Sequence, residues 1–472
     1  MNTVCKNENV EFGSIKGREI IGRFDGGSIT SDGGSVLLQE AEKRVGVIRA
    51  LSGCFEDHRD PLRIEHTVEQ LLSQRIYGLC SGYEDLNDHD ALRGDPLFGL
   101  ICGKADPSGN DRRRERDRGK PLCGKSTLNR LELSVPDEAE KDRYKKIVAD
   151  TDKMDEVFVE VFLKLSGEAP EQIILDMDPT DVPLHGNQEG RHFHGYYDCY
   201  CYLPRYIFCG NHLLSISFHT ADEDPAEGAE EELSRIVKRI REVWPDTRII
   251  VRADSTFSRE SLMKRCEDSG VGFIFGLSKN SRLIGIIRED LVDAAVRYTR
   301  TGRPARIFDD FEYRTVKTWS RPRRVISKAE YGGRGDNPRF VITSLSGGEY
   351  EDAQAVYEKV YCARGDMENR IREQQYGLFS DRASAGVKSA NELRMYFSAA
   401  GYVLMNAVRI LGLFGTGMES AQCFTIRTKL LKIGAQIRVT ARKIWISWAE
   451  NYPFRRIFMQ VLGNIRKIPL PA

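Results

Sequence analysis

The chain has 472 residues, 40% of them hydrophobic, and 70 basic residues balance 70 acidic ones. That length exceeds one ordinary core, so two or three globular domains are expected, and the even charge leaves only local clusters, Arg112–Arg118 and Arg321–Arg324, to argue for nucleic acid. No apolar run reaches the about 18 to 20 residues of a membrane helix, the N-terminus lacks a signal-peptide layout, and eleven scattered cysteines read as reduced thiols; a soluble cytoplasmic protein is expected.

Residues 1 to about 20 read as a loosely ordered leader, followed by Gly-rich turns and a helix beginning near Ser31 or Asp32. From Thr67, apolar residues recur at helical spacing and are interrupted at glycines, which gives a mainly helical N-terminal domain over 1–140. Asp106–Lys120 is charged and aperiodic, an exposed arm that either touches DNA phosphates or is simply solvated. Gly119–Ser126, GKPLCGKS, satisfies the phosphate-loop pattern, but DRRRERDR precedes it, and such a run cannot be the buried strand that feeds a nucleotide loop. Ser126 or Thr127 is instead expected to cap the helix TLNRLEL, and Asp137–Lys164 reads as charged and helical.

The pattern then changes. EQIILDMD (171–178) is a short apolar run ending in acids and bounded by Pro179, a core strand with Ile174, Asp176 and Asp178 on one face and Ile173, Leu175 and Met177 on the other. Further strands follow in CYCYLPRYIFCGNHLLSISFHT, then a helix over Asp224–Trp244 with an acidic first turn, the strand TRIIVRADSTF carrying Asp254, a helix at Arg259–Ser269 and the strand VGFIFGLS. This order makes a mixed α/β sheet over 141–281. Residues 282–350 alternate polar and apolar and read as a β-rich insertion; 351–415 return to the core, and 416–472 form a basic, aromatic tail. His192, His194, Cys199, Cys201, Cys209 and His212 crowd together, but HxH and CxC are not the paired spacings of structural zinc sites, and alternation explains CYCYLPRY as a strand.

YCARGDMENRIREQQ (361–375), read as a helix, aligns Tyr361, Arg364, Glu368, Arg372 and Gln375 on one stripe, with Val356, Val360, Ala363, Met367 and Ile371 on another. A carboxylate flanked by arginines suits either a surface helix with ion pairs or a site where Glu368 holds a cation and the arginines hold phosphates. Asp178 and Asp254 both end strands, where open sheets bind ligands. With Glu368 they would form three hard oxygen ligands for divalent ions, Mg²⁺ or Mn²⁺, although an aspartate after a strand is also a common cap.

These residues resemble a family. Asp178-Pro179-Thr180, Gly186-Asn187-Gln188-Glu189-Gly190, the ADS segment at Asp254, the β-rich stretch and Tyr361-x2-Arg364-x3-Glu368 are together similar to the bacterial insertion-sequence transposases of the DDE class, group 1, with the Tyr-Arg-Glu-Lys signature. The resemblance implies an RNase H-like core interrupted by an inserted β domain, and two-metal cleavage and transfer of DNA strands. It further implies a homodimer on terminal inverted repeats and a nucleoid-associated location. It makes Asp178, Asp254 and Glu368 the catalytic metal ligands, with Asp176 on the same strand face as the alternative first acid, and Tyr361 and Arg364 the DNA contacts. The signature lysine is replaced by Gln375, with Arg372 available to supply the charge, and Trp319, Arg323 and Arg324 are candidates for stacking on a flipped base and holding its phosphates. A nuclease without strand transfer and a silent DNA-binding descendant are the other functions compatible with these residues.

Overall fold

The computed structural model describes residues 9–134 and 139–470. Two compact units divide the chain: residues 150–406 form one, and residues 1–149 together with 407–472 form the other. Among the described residues no helix is long and apolar enough to cross a membrane.

The unit of residues 150–406 is built on one mixed sheet. Its strands are β1 (Gln172–Pro179), β2 (Arg205–Cys209), β3 (His212–Ser217), β4 (Arg248–Ala253), β5 (Gly272–Leu277), β6 (Ala305–Tyr313), β7 (Arg323–Gly332) and β8 (Arg339–Thr343). They lie in the order β3-β2-β1-β4-β5-β8-β7-β6, with the two-residue strand Gly335–Asp336 on β7. β1, β4 and β5 are parallel, and every other pairing is antiparallel. Because β1 is covered on both faces, Ile173, Ile174 and Leu175 are apolar in succession; alternation still sorts its residues. Ile173, Leu175 and Met177 pack with Leu233, Ile236 and Ile240 of the helix Ala229–Val243. Ile174, Ile250 and Ile274 face the opposite way, toward Val356 and Tyr357.

The stretch expected as a separate β-rich insertion differs from that reading. It opens with two helices, Ser281–Ile286 and Arg288–Thr301, and its strands β6 to β8 continue the central sheet. The cause is the outer edge of β5, whose backbone groups need partners; β8 supplies them, with Phe275 opposite Ile342. The charged stretch before the core also differs: the helix begins only at Thr151, capped by the Asp150 carboxylate accepting from the Lys153 N–H, and Ile147–Ala149 is a short strand. Of that stretch, residues 137 and 138 lie outside the described residues.

In the other unit, the helix Val68–Ser81 starts at a capping box in which Thr67 and Gln70 satisfy each other's backbone N–H groups. Residues 10–22, expected as part of a loose leader, pair as the strands Val10–Ile15 and Arg18–Gly22; residues 1–8 lie outside the described residues. The expected basic tail is folded: Ala435–Val439 pairs with both Ile444–Trp448 and Ile29–Thr30, and the helix Arg455–Lys467 packs on Val36–Val45. Neither Ser126 nor Thr127 caps its helix. The helix Lys125–Glu132 has Gly124 at the cap position, and the Asp90 carboxylate accepts from the Lys125 N–H at 3.0 Å.

Candidate active site

Strand register brings the first two acids together. β1 and β4 run parallel with Asp176 opposite Arg252 and Met177 opposite Ala253, so Asp178, still paired with Tyr206 of β2, and Asp254, the first residue past β4, follow side by side at the carboxyl edge of the sheet. Asp254 also caps the following turn, its carboxylate accepting from the Thr256 N–H at 2.9 Å and hydroxyl at 3.2 Å.

Asp176 points to the same face but has another occupation. Its two oxygens accept from Nε and Nη2 of Arg252, the latter at 2.7 Å, and both side chains are more than nine-tenths buried. Burial pushes the Asp176 carboxyl up and Arg252 pulls it back, with a net upward shift; the fork of two guanidinium bonds serves the ionised form. The third Arg252 donor, Nη1, reaches the backbone carbonyl of Val360. A single buried guanidinium therefore ties β1 and β4 to the segment that carries Tyr361.

That segment is not one continuous helix. Val356–Tyr361 is a π-helical turn, Cys362–Arg364 a 3₁₀ turn, and an α-helix starts at Gly365 and runs to Leu378. Val356, Met367 and Ile371 are buried as the apolar stripe requires, whereas Ala363 is exposed because the break rotates it away. Arg364 turns inward and donates from Nη1 to Asp178 at 2.8 Å. Glu368 sits in the first turn of the α-helix and is exposed. Tyr361 lies against Gly276 of β5, where an added Cβ would come within 2.6 Å of the phenol oxygen and 2.9 Å of the Ser255 nitrogen. Gln375 is buried and donates to the Asp181 carbonyl at 3.0 Å, bracing the loop after β1. Arg372 is exposed.

The electrostatics describe a carboxylate cluster held by one resident cation. Burial first, then Asp254, Glu368 and Asp176, push the Asp178 carboxyl up to about 7, with Arg364 pulling the other way. Tyr361 is likewise pushed up, by burial and then by Asp254 and Asp178 against the pull of Arg364. Tyr197, in the turn between the strands His192–His194 and Cys199–Tyr202 of a small antiparallel sheet completed by Val182–Pro183, is raised by burial, then Asp181, Asp178 and Asp254, so it also faces the cluster. Among the described residues no three His, Cys, Asp or Glu side chains are gathered closely enough to hold a metal ion as they stand. The donor set nevertheless fits a hard divalent cation: Asp178 is in electrostatic reach of both Asp254 and Glu368, with the Arg364 guanidinium now supplying the positive charge to all three.

Three of the expected DNA contacts are engaged within the protein itself. Trp319 is 8% exposed, with its ring edge-on to Tyr313, so it has no free face for a base. Arg323 is buried between Glu260 at 2.6 Å and Glu267 at 2.7 Å. Arg324 is spent on Asp310 and on the carbonyls of Leu345, Tyr350 and Glu351. Arginines that look like a basic patch in sequence are here neutralised by acids far along the chain. Conversely, Arg252 and Gly276 escaped the sequence reading, although each left a trace: an arginine on the inward face of RIIVRAD, and a glycine inside the apolar strand FIFGL, which marks close backbone approach.

The family model described as transposase DDE domain, group 1, matches residues 12–470. No curated protein matches the chain.

Proposed function

The chain belongs to the transposase DDE domain group 1 family, and from that membership we propose that it moves an insertion sequence by cut and paste, cleaving DNA at terminal inverted repeats and joining the freed ends to target DNA. The observation that carries the reading is the pairing of Asp178 and Asp254 at adjacent strand ends, with Glu368 in electrostatic reach and Asp176 already taken by Arg252. The strand order β3-β2-β1-β4-β5, antiparallel in its first half and parallel in its second, supports an RNase H-like core.

Asp178, Asp254 and Glu368 are the residues that would hold divalent ions, Mg²⁺ or Mn²⁺. When bound, a pair of such ions supplies the charge that activates an attacking oxygen and stabilises a leaving one. In the first step water attacks the terminal phosphorus and the 3′ oxygen leaves; in the second that 3′-hydroxyl attacks a target phosphorus, gives up its proton and expels the target strand's own 3′ oxygen, so one phosphodiester replaces another. Arg364 is positioned to exchange the Asp178 carboxylate for a DNA phosphate, and Tyr361, pinned against Gly276, lines the same edge. Arg372 is exposed on the same helix as Glu368 and suits a second phosphate contact. A homodimer bringing two DNA ends together at the nucleoid completes the reading.

The test uses a DNA fragment carrying the coding sequence with its flanks, a supercoiled target and Mg²⁺. The wild type is expected to give cleaved ends and joined products, and Asp254→Asn neither. Nicking without joining would reduce the proposal to a nuclease, and activity retained in Asp254→Asn would remove it.

A further inference from the structure

The unit formed by residues 1–149 and 407–472 holds a cleft of about 470 Å³ whose wall carries seven arginines and three carboxylates. All three carboxylates are engaged. Glu65 accepts from Arg112 at 3.0 Å, Asp117 from Arg93 at 2.9 Å, and Asp90 from the Lys125 N–H at 3.0 Å. Arg114 and Arg130 are exposed and have no carboxylate partner among the described residues.

Two buried donors on the same wall lack acceptors among the described residues, His66 Nε2 and Arg93 Nε. The tautomer of His66 follows from its neighbour. The Lys104 ammonium has three hydrogens and meets three acceptors, the Glu65 carbonyl at 3.0 Å, Gln70 Oε1 at 3.2 Å and His66 Nδ1 at 3.3 Å. Nδ1 therefore accepts, which places the proton of the neutral ring on Nε2. His66 is only 6% exposed, so this unpartnered N–H is costly unless an acceptor enters the cleft. Its ring also registers the field: burial, then Lys104, Arg112, Arg59 and Arg93, push its pKa down to about 3. Gly124, Ser126 and Thr127 of the phosphate-loop look-alike line the cleft as well.

We propose that this cleft is a phosphate site that holds the sugar–phosphate backbone of duplex DNA through Arg93, Arg114 and Arg130, with His66 Nε2 the buried donor behind them. The chemistry favours a backbone over a free nucleotide. The cleft's aromatic side chain, Tyr144, already carries the guanidinium groups of Arg130 at 4.5 Å and Arg143 at 5.0 Å over its ring, so a base would have to displace them to stack there. That the polyanion is DNA rests on the transposase reading; that the cleft binds phosphate rests on its own donors.

The experiment measures binding of a fluorescein-labelled DNA duplex to the full chain by anisotropy, in EDTA and over a salt series. Arg114→Glu/Arg130→Glu is expected to weaken binding at least about tenfold and to make the slope of log affinity against log salt shallower by about 2. Lys238→Glu, an exposed charge on the helix Ala229–Val243, serves as the control and is expected to leave both unchanged. Should the double variant melt early, Arg114→Gln and Arg130→Gln replace it, each expected to lower the slope by about 1. Wild-type affinity and slope in a folded variant would overturn the inference, as would tighter binding of an RNA duplex of equal length. Because EDTA removes cleavage from the measurement, loss of binding here and loss of strand transfer above fail separately.

Discussion

Gly276 shows how much of this site depends on an atom that is missing. The Tyr361 phenol and the Asp254–Ser255 backbone fill the space a side chain would take, so Gly276→Ala is expected to cost about 1–3 kcal/mol of stability and to suppress cleavage by displacing both. Adding Tyr361→Phe removes the phenol oxygen but not the contact with the Ser255 nitrogen, so it should recover only part of the melting temperature. Thermal unfolding and cleavage of both variants check this, and an unaltered Gly276→Ala protein would show that Tyr361 is free to move. Single residues were unevenly legible in the sequence. Asp178 and Asp254 stood out because each ends an apolar run, a pattern local to a few positions. Trp319, Arg323 and Arg324 misled because their surroundings come from Tyr313, Glu260, Glu267 and the carbonyls of 345–351, which no local pattern reveals.

Among the elements, β1, β4 and the turn before Tyr361 act as one device through Arg252. Removing the guanidinium with Arg252→Met leaves Asp176 buried and unpaired, and an uncompensated charge of this kind costs about 3–5 kcal/mol. Replacing both members, Asp176→Leu/Arg252→Met, is expected to return most of that stability. Cleavage should stay low in the double variant, because the Val360 carbonyl has still lost its donor and the Tyr361 turn its anchor. Full activity in the double variant would mean that the turn is held by packing alone. Alternation alone separated the two faces of β1, since the strand period is two and apolar residues sit on both sides. The helix at Glu368 was legible as a helix, while its break was foreshadowed by Gly365, the residue at which the α-helix begins.

Over the whole molecule, pairings between distant segments were hidden. Strands β6 to β8 read as a domain of their own because alternation reveals a strand but not its neighbour, and the open edge of β5 decided where they went. In the same way the C-terminal residues read as a tail, although Ala435 and Gln436 pair with Thr30 and Ile29 at the other end of the sequence. The mixed α/β class was legible because it follows from the succession of elements. The most direct test of the carboxylate site is the anomalous scattering of Mn²⁺ in crystals of the chain with a DNA duplex. Manganese is expected about 2 Å from oxygens of Asp178, Asp254 and Glu368, with Arg364 turned from Asp178 to a phosphate. Manganese bound by Asp176, or coordinated without Glu368, would contradict that assignment.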